Sequence, residues 1–213
     1  MKRVTPDLER KTASKYRATA VALFLWFSYL LVPSSLTASA PTEQLRDTVE
    51  QVLAILSNSK PKSDGEWQEF RTRLAQAIYP RFDFTEMAKR SLGSYWGSRN
   101  SGEQEEFVKA FAGFLGRSYV GTMQSYGNQK VLYTREVKHT DAAEVDTKIV
   151  TDKPQALSVN YKLHLVNEEW KVYDVVIDNI SMVTNYHSQF NRVLARSSFE
   201  ELVRIIKEKG AGH

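Results

Sequence analysis

Two spacings of apolar residues divide the chain after residue 41. Between Thr42 and Gly127 the apolar residues recur every three or four positions, which is typical of amphipathic helices. From Gln129 to about Ile180 they alternate with polar residues, which is typical of half-buried strands. Helical spacing returns near Asn185 and is interrupted around Arg196. The pattern therefore predicts several helices, then strands, then a closing helical segment.

Four helices are predicted before the strands. The first starts at Thr42 and ends before Pro61, the second covers residues 67–78, and the third covers residues 82–92. The fourth is the longest and the most aromatic, and it stops at Gly127. Its start is predicted at Ser101, because Ser101 and Gln104 have the spacing of a capping box.

The alternating region consists of four consecutive stretches, each predicted to be a strand, with short connections between them. They cover residues 129–138, 144–149, 157–165 and about 170–180. Consecutive strands joined by short turns form an antiparallel meander, in which one face meets water and the other needs a cover. The sequence thus predicts an α+β fold: a curved four-stranded antiparallel meander covered on one side by the N-terminal helices and a C-terminal helix. The apolar pattern alone fits either a cavity between sheet and helices or a solid core.

The first 40 residues have the layout of a secretory signal peptide. A basic segment precedes the uncharged stretch 18–32, and the small residues Ala38-Ser39-Ala40 follow. Cleavage near residues 38–40 would leave 41–213 as a single domain. The alternative is an uncleaved anchor, since residues 18–42 are long enough to span a bilayer core of about 30 Å.

The net charge of +4 comes from this leader. It holds six of the 29 Lys and Arg and two of the 25 Asp and Glu, so residues 41–213 carry 23 of each sign. A neutral body lacks the basic surface that binding to nucleic acid requires, so no nucleic-acid partner is expected. The chain has no cysteine, which excludes disulfides, thiol nucleophiles and thiolate metal sites.

The remaining candidates for catalysis are few. The four histidines lie far apart along the chain, so no metal site is expected. Asp174, Asp178 and His187 form the best titratable set, which could serve as an acid–base site of the steroid-isomerase type in a pocket. The favoured interpretation is structural: Asp174 and Asp178, with Ser181, cap and tie the turn that enters the last helix. No catalytic residue and no cofactor are therefore predicted.

Three blocks of residues resemble one family. They are Leu92-Gly-Ser-Tyr-Trp96, the aromatic series from Phe107 to Tyr126, and Tyr173-Asp-(x)3-Asp-(x)2-Ser-(x)4-Tyr-(x)3-Phe190. Together they resemble the MlaC family of periplasmic phospholipid-binding proteins, also called the toluene-tolerance family, over about Thr42 to Lys209. A hopanoid-cluster branch of that family is similar too. The family usually has Gly and Arg where this chain has Asn179 and His187.

The resemblance implies a monomeric, non-enzymatic lipid carrier of the periplasm. Such a carrier moves diacyl phospholipid between an outer-membrane lipoprotein complex and the substrate-binding ring of an inner-membrane ABC transporter, and so maintains outer-membrane lipid asymmetry. The implied fold encloses a deep apolar cavity, with phospholipid as cargo and no cofactor. A hopanoid cargo, a cavity enzyme and a lipid-free adaptor remain alternatives.

Helical spacing, strand alternation and the resemblance together give a set of expected cavity residues. They are Met87, Leu92, Tyr95, Trp96, Phe107, Phe111, Phe114, Leu115, Tyr119, Met123, Tyr133, Val145, Ile149, Val159, Tyr161, Leu163, Val176, Tyr186 and Phe190.

Overall fold

The computed structural model describes residues 40–124, 129–150 and 156–209. The helices are α1 (Pro41–Asn58), α2 (Asp64–Ile78), α3 (Phe84–Leu92), α4 (Ser101–Gln124), α5 (Met182–Leu194) and α6 (Phe199–Lys209), with a short 3₁₀ helix at Gly93–Ser98. The strands are β1 (Lys130–Lys138), β2 (Ala142–Val150), β3 (Leu157–Val166), β4 (Glu169–Ile177) and β5 (Ile180–Ser181). The predicted leader lies outside the described residues, apart from Ala40.

The predicted α+β fold is confirmed. The strands pair antiparallel in the order β1-β2-β3-β4-β5, so the meander gains a fifth strand of two residues. The turns before β4 and before β5 each place two residues at positive φ, Asn167 with Glu168 and Asp178 with Asn179. This geometry suits the right-handed twist of a hairpin. Asn179, with a φ of 68°, therefore adopts a left-handed conformation that glycine and asparagine tolerate better than most residues.

Side-chain caps fix where several helices begin. Ser63, Asp83 and Ser181 each accept a hydrogen bond from the backbone N–H three residues later. The capping box of α4 lies one residue earlier than the sequence predicts: Asn100 Oδ1 accepts from Glu103 N, and Glu103 Oε2 accepts from Asn100 N. Because Ser181 is the cap, α5 also begins three residues before the predicted Asn185.

Three groups of buried residues form the interior. The first, here called the aromatic cluster, joins α3, α4, α5 and α6 and includes Phe107, Phe111, Tyr186, Phe190 and Phe199. The second lies between the sheet and Leu45 of α1, with Trp170 at its centre. The third joins α1 to α2 and is extended by half-buried residues near the end of α4. The helices thus cover one face of the sheet, as predicted.

Candidate binding cavity

An open cavity of about 520 Å³ lies where these three buried groups meet. Its walls come from α2, α3, the second half of α4, β3, β4 and the first residue of α5. The volume falls in the range of about 300–1,000 Å³ that is usual for small-molecule sites. The lining residues are Gln68, Arg71, Thr72, Leu74, Ala75, Ile78, Tyr79, Phe82, Phe84, Met87, Ala112, Gly113, Leu115, Gly116, Arg117, Tyr119, Val120, Met123, Tyr161, Val175, Ile177 and Met182.

Small residues of α4 help to leave this space open. Ala112, Gly113 and Gly116 all lie in the wall, and a larger side chain at Gly116 would project into open space. A Cβ built on Gly116 meets no heavy atom within 4 Å. The first half of α4 therefore carries large aromatic side chains, while the small residues that follow leave space for the cavity.

The cavity is apolar inside and polar at its opening. Buried lining residues such as Leu74, Leu115 and Val175 are all apolar. Arg71 and Arg117 are the charged residues among the described lining, and both side chains are exposed. Since an exposed residue of the lining must lie near solvent, both arginines belong to the opening. Tyr161 is held neutral inside, because burial raises the pKa of its hydroxyl above the usual range.

Five of the sequence-predicted residues line the cavity. They are Met87, Leu115, Tyr119, Met123 and Tyr161. The Tyr119 and Tyr186 hydroxyls lie 3.4 Å apart, which links this wall to the aromatic cluster. The sequence analysis selected them by helical spacing in α3 and α4, by alternation in β3 and by the family resemblance.

The helical residues of the predicted set that do not line the cavity lie elsewhere. Leu92, Phe107, Phe111, Tyr186 and Phe190 are buried in the aromatic cluster, and Trp96 and Phe114 pack against it. The rings of Phe107 and Phe111 each contact Phe190 edge to face, with centroids 5.6 and 5.4 Å apart. Tyr95 is half-buried in the 3₁₀ helix and does not line the cavity. These residues are packed because α5 and α6 cover the apolar face of the first half of α4.

Most of the predicted strand residues also lie in packed regions and not in the cavity wall. Tyr133, Val145, Ile149, Val159 and Leu163 belong to the second buried group or pack against it. They do not line the cavity, because α1 covers that part of the sheet and places the fully buried Leu45 against it. Burial raises the pKa of Tyr133 to about 12, and the guanidinium of Arg46 on α1 lies 4.1 Å from its ring centre.

A β-bulge moves Val176 away from the predicted position. Lys162 pairs with Asp174 but Leu163 pairs with Val172, so Tyr173 is an extra residue in β4. The bulge reverses which side chains face inward, and Val175 and Ile177 line the cavity in place of Val176. Strand alternation read through a bulge selects the wrong face.

Residues that the sequence reading missed supply the rest of the wall. They come mostly from α2 and the segment after it, including Leu74, Ile78, Phe82 and Phe84. Their apolar spacing predicts the helices correctly. It holds no information about whether that face meets a packed core or an open space.

Asp174, Asp178 and His187 are engaged with different partners. Asp174 is 4% exposed and accepts hydrogen bonds from Ser181 Oγ at 2.7 Å and from the Val183 backbone N–H at 3.1 Å. Asp178 Oδ1 accepts from the Ser158 backbone N–H at 3.1 Å. The three side chains do not share a partner, and none of them lines the cavity.

His187 lies beside the 3₁₀ helix. Its Nε2 is 2.9 Å from Asn191 Nδ2. Gly93 is close to the imidazole: a Cβ at that position would lie 2.4 Å from His187 Cε1, and Gly93 has a φ of +58°. Glycine is required there both by the backbone conformation and by the close approach.

Within ranges 40–124, 129–150 and 156–209, no group of three or more His, Asp and Glu residues could hold a metal ion. The helices of these same ranges are all too short or too polar to cross a membrane.

The fold and the cavity define a class of α+β proteins in which helices and a twisted antiparallel sheet surround an open apolar cavity. Residues 46–208 match the family model described as MlaC protein, so the chain belongs to the MlaC family. The resemblance stated from the sequence blocks is thereby confirmed.

Individual relatives agree with this assignment. The chain is 18% identical over 196 residues to the intermembrane phospholipid transport system binding protein MlaC of Haemophilus influenzae, covering 90% of this chain and 92% of that protein. It is 22% identical over 166 residues to the toluene tolerance protein ttg2D of Pseudomonas putida, covering 76% and 77%. A structure of a phospholipid-binding protein from Ralstonia solanacearum in complex with a phospholipid has the same fold, with a TM-score of 0.71 and 23% identity over 81% of this chain and 98% of that one.

Proposed function

We propose that this protein is a periplasmic phospholipid carrier that holds acyl chains in the open cavity and leaves the head group at its mouth. The observation that carries the proposal is the cavity itself, with buried apolar walls and charged residues confined to the exposed rim. Two relatives, one named for phospholipid transport and one for toluene tolerance, support a role at bacterial membranes.

The energetics of lipid transfer explain why such a protein is needed. Each methylene exposed to water costs about 0.8 kcal/mol, so the roughly 30 methylenes of a diacyl lipid would cost on the order of 20 kcal/mol or more. A carrier removes this cost by surrounding the chains with apolar side chains. Buried charge on the cavity floor would oppose binding, and the buried lining described above has none.

Five residues are proposed as acyl-chain contacts from both sequence and structure: Met87, Leu115, Tyr119, Met123 and Tyr161. Methionine and leucine walls adapt to chains of different length because their side chains have several rotatable bonds. The α2 face with Leu74 and Ile78 supplies the opposite wall.

The proposed route of the carrier is across the periplasm. Export through the cleaved leader would release residues 41–213 as a monomer. The proposed partners are an outer-membrane lipoprotein complex and the substrate-binding ring of an inner-membrane ABC transporter, as the family implies. A catalytic role for Asp174 and Asp178 is disfavoured, since their carboxylates accept hydrogen bonds from the backbone and from Ser181.

Lipid that co-purifies with the exported protein tests the proposal. The full chain is expressed in a Gram-negative host, and the protein is recovered from the periplasm without detergent and examined by native mass spectrometry. We expect close to one diacyl phospholipid per protein, identified after extraction. A folded protein that carries no lipid and gains none from phospholipid vesicles would contradict the carrier function, and a bound hopanoid would replace phospholipid as the cargo.

A further inference from the structure

The rim of the cavity carries two cations and, among its described residues, no anion. Arg71 projects from α2 and Arg117 from α4, and both belong to the lining of the same cavity. Gln68, one turn before Arg71 on α2, adds an amide that can donate hydrogen bonds, whereas the Thr72 hydroxyl already donates to the Gln68 backbone carbonyl at 2.9 Å. The polar part of the lining is therefore a set of donors around an apolar interior.

Both guanidinium groups are held near the wall by neutral neighbours. Arg71 Nη2 donates to Gln68 Oε1 at 3.2 Å. Arg117 folds back along α4, so that its Nη1 would lie only 3.0 Å from a Cβ on Gly113. The absence of a side chain at Gly113 lets the Arg117 guanidinium lie against the helix.

Neither arginine is neutralised within the described part of the chain. Other arginines form ion pairs, such as Arg90 with Glu86 at 2.8 Å and Arg204 with Glu201 at 2.6 Å. No described carboxylate lies within 4 Å of Arg71 or Arg117. Arg117 also borders a neighbouring groove with Glu105 and Glu106. Glu106 is paired with Lys207 at 2.6 Å, and Glu105 lies more than 4 Å from the Arg117 guanidinium.

We propose that Arg71 and Arg117 form a phosphate subsite at the cavity mouth, which makes the carrier prefer phospholipids whose head group has a net negative charge. The proposal rests on the proposed function. Guanidinium groups match phosphate oxygens in geometry and charge. A zwitterionic head group also brings an ammonium, for which the described lining offers no carboxylate. The local charge thus selects a head group even though the domain as a whole is neutral.

Competition between two lipids with identical acyl chains tests the subsite. Lipid-free protein is incubated with vesicles of equal dioleoyl phosphatidylglycerol and dioleoyl phosphatidylethanolamine, and bound lipid is counted by mass spectrometry. Because the two rim cations are exposed, each can change the relative affinity for the two lipids by at most about a factor of five. We therefore expect roughly a three- to tenfold excess of bound phosphatidylglycerol. The excess should fall as salt is raised.

In the double variant Arg71→Gln, Arg117→Gln, the ratio of phosphatidylglycerol to phosphatidylethanolamine among the bound lipid should fall to about one. Arg73→Gln is the matched control, because Arg73 is an exposed residue of α2 that does not line the cavity. It should keep the full excess. The double variant Arg71→Lys, Arg117→Lys retains both positive charges, so it should keep part of the phosphatidylglycerol excess.

The outcomes separate the two proposals. Wild-type protein that binds both lipids equally, or a double variant that keeps the full excess, would overturn the phosphate subsite and leave the carrier function standing. Failure of wild-type protein to bind either lipid would overturn the carrier function and the subsite with it. Circular dichroism of each variant verifies that lost selectivity does not reflect lost structure.

Discussion

The two halves of α4 have similar apolar spacing but opposite surroundings. In the first half, Phe107 and Phe111 are fully buried against α5, and Phe107 also contacts α6. In the second half, Tyr119 and Met123 are half-buried and face an open cavity. Glycine and alanine at 112, 113 and 116 mark the change. One amphipathic helix can therefore serve as a packed core at one end and as a binding wall at the other.

The largest expected effect lies in the packed half. Phe107→Ala removes a ring that is 0% exposed and contacts the rings of Phe190 and Phe199. Loss of a buried Phe typically lowers the free energy of unfolding by about 3–5 kcal/mol. Urea unfolding measures this loss, and lipid bound per folded molecule should not change. A variant that kept its stability but lost lipid would place Phe107 in the binding site instead.

The next effect concerns the link between the sheet and α5. Asp174→Asn leaves the Ser181 hydroxyl and the Val183 backbone N–H with a weaker acceptor in a buried site. We expect a loss of about 1–3 kcal/mol in the free energy of unfolding. Asp178→Asn is the control, since Asp178 is exposed and should cost less. An Asp174 variant with wild-type stability would contradict the structural role.

A smaller effect is expected at the cavity wall. Met123→Ala shortens a half-buried side chain that already faces open space, so little packing is lost. We expect a loss of about 1 kcal/mol or less in the free energy of unfolding. A loss as large as that of Phe107→Ala would mean that the cavity is closed and packed in solution.

Helices, strands and their order follow from local periodicity and caps, so the α+β fold was predictable from the chain. The choice between core and cavity depends on which element covers a face. Leu45 on α1 covers Val145, and Phe190 on α5 covers Phe107. Both covering residues are far away in sequence, so the local spacing of apolar residues could not show that these positions are packed.

Irregularities of the backbone set a second limit. The extra residue Tyr173 in β4 exchanges Val176 for Val175 and Ile177 as inward residues. The bulge leaves the apolar run of β4 unbroken, so no residue type in the sequence indicates where it lies. Asp178 and Asn179, in contrast, were predicted as turn residues from their types, and both have a positive φ in the structure.

A matched pair of glycine substitutions tests the central claim, that the open space beside α4 holds the lipid. Gly116 and Gly121 are exposed residues of the same helix, and a Cβ on either meets nothing within 4 Å. Gly116 lines the cavity, and Gly121 does not. Replacing a helical glycine raises helix propensity by up to about 1 kcal/mol, so neither Gly116→Phe nor Gly121→Phe should unfold the protein.

The measurement is the number of lipids per protein, by native mass spectrometry, in Gly116→Phe and Gly121→Phe recovered without detergent. The cavity account predicts that Gly121→Phe carries as much lipid as the wild type, while Gly116→Phe carries at most a small fraction of it. Equal lipid in the two variants would contradict the account and place the lipid elsewhere on the molecule.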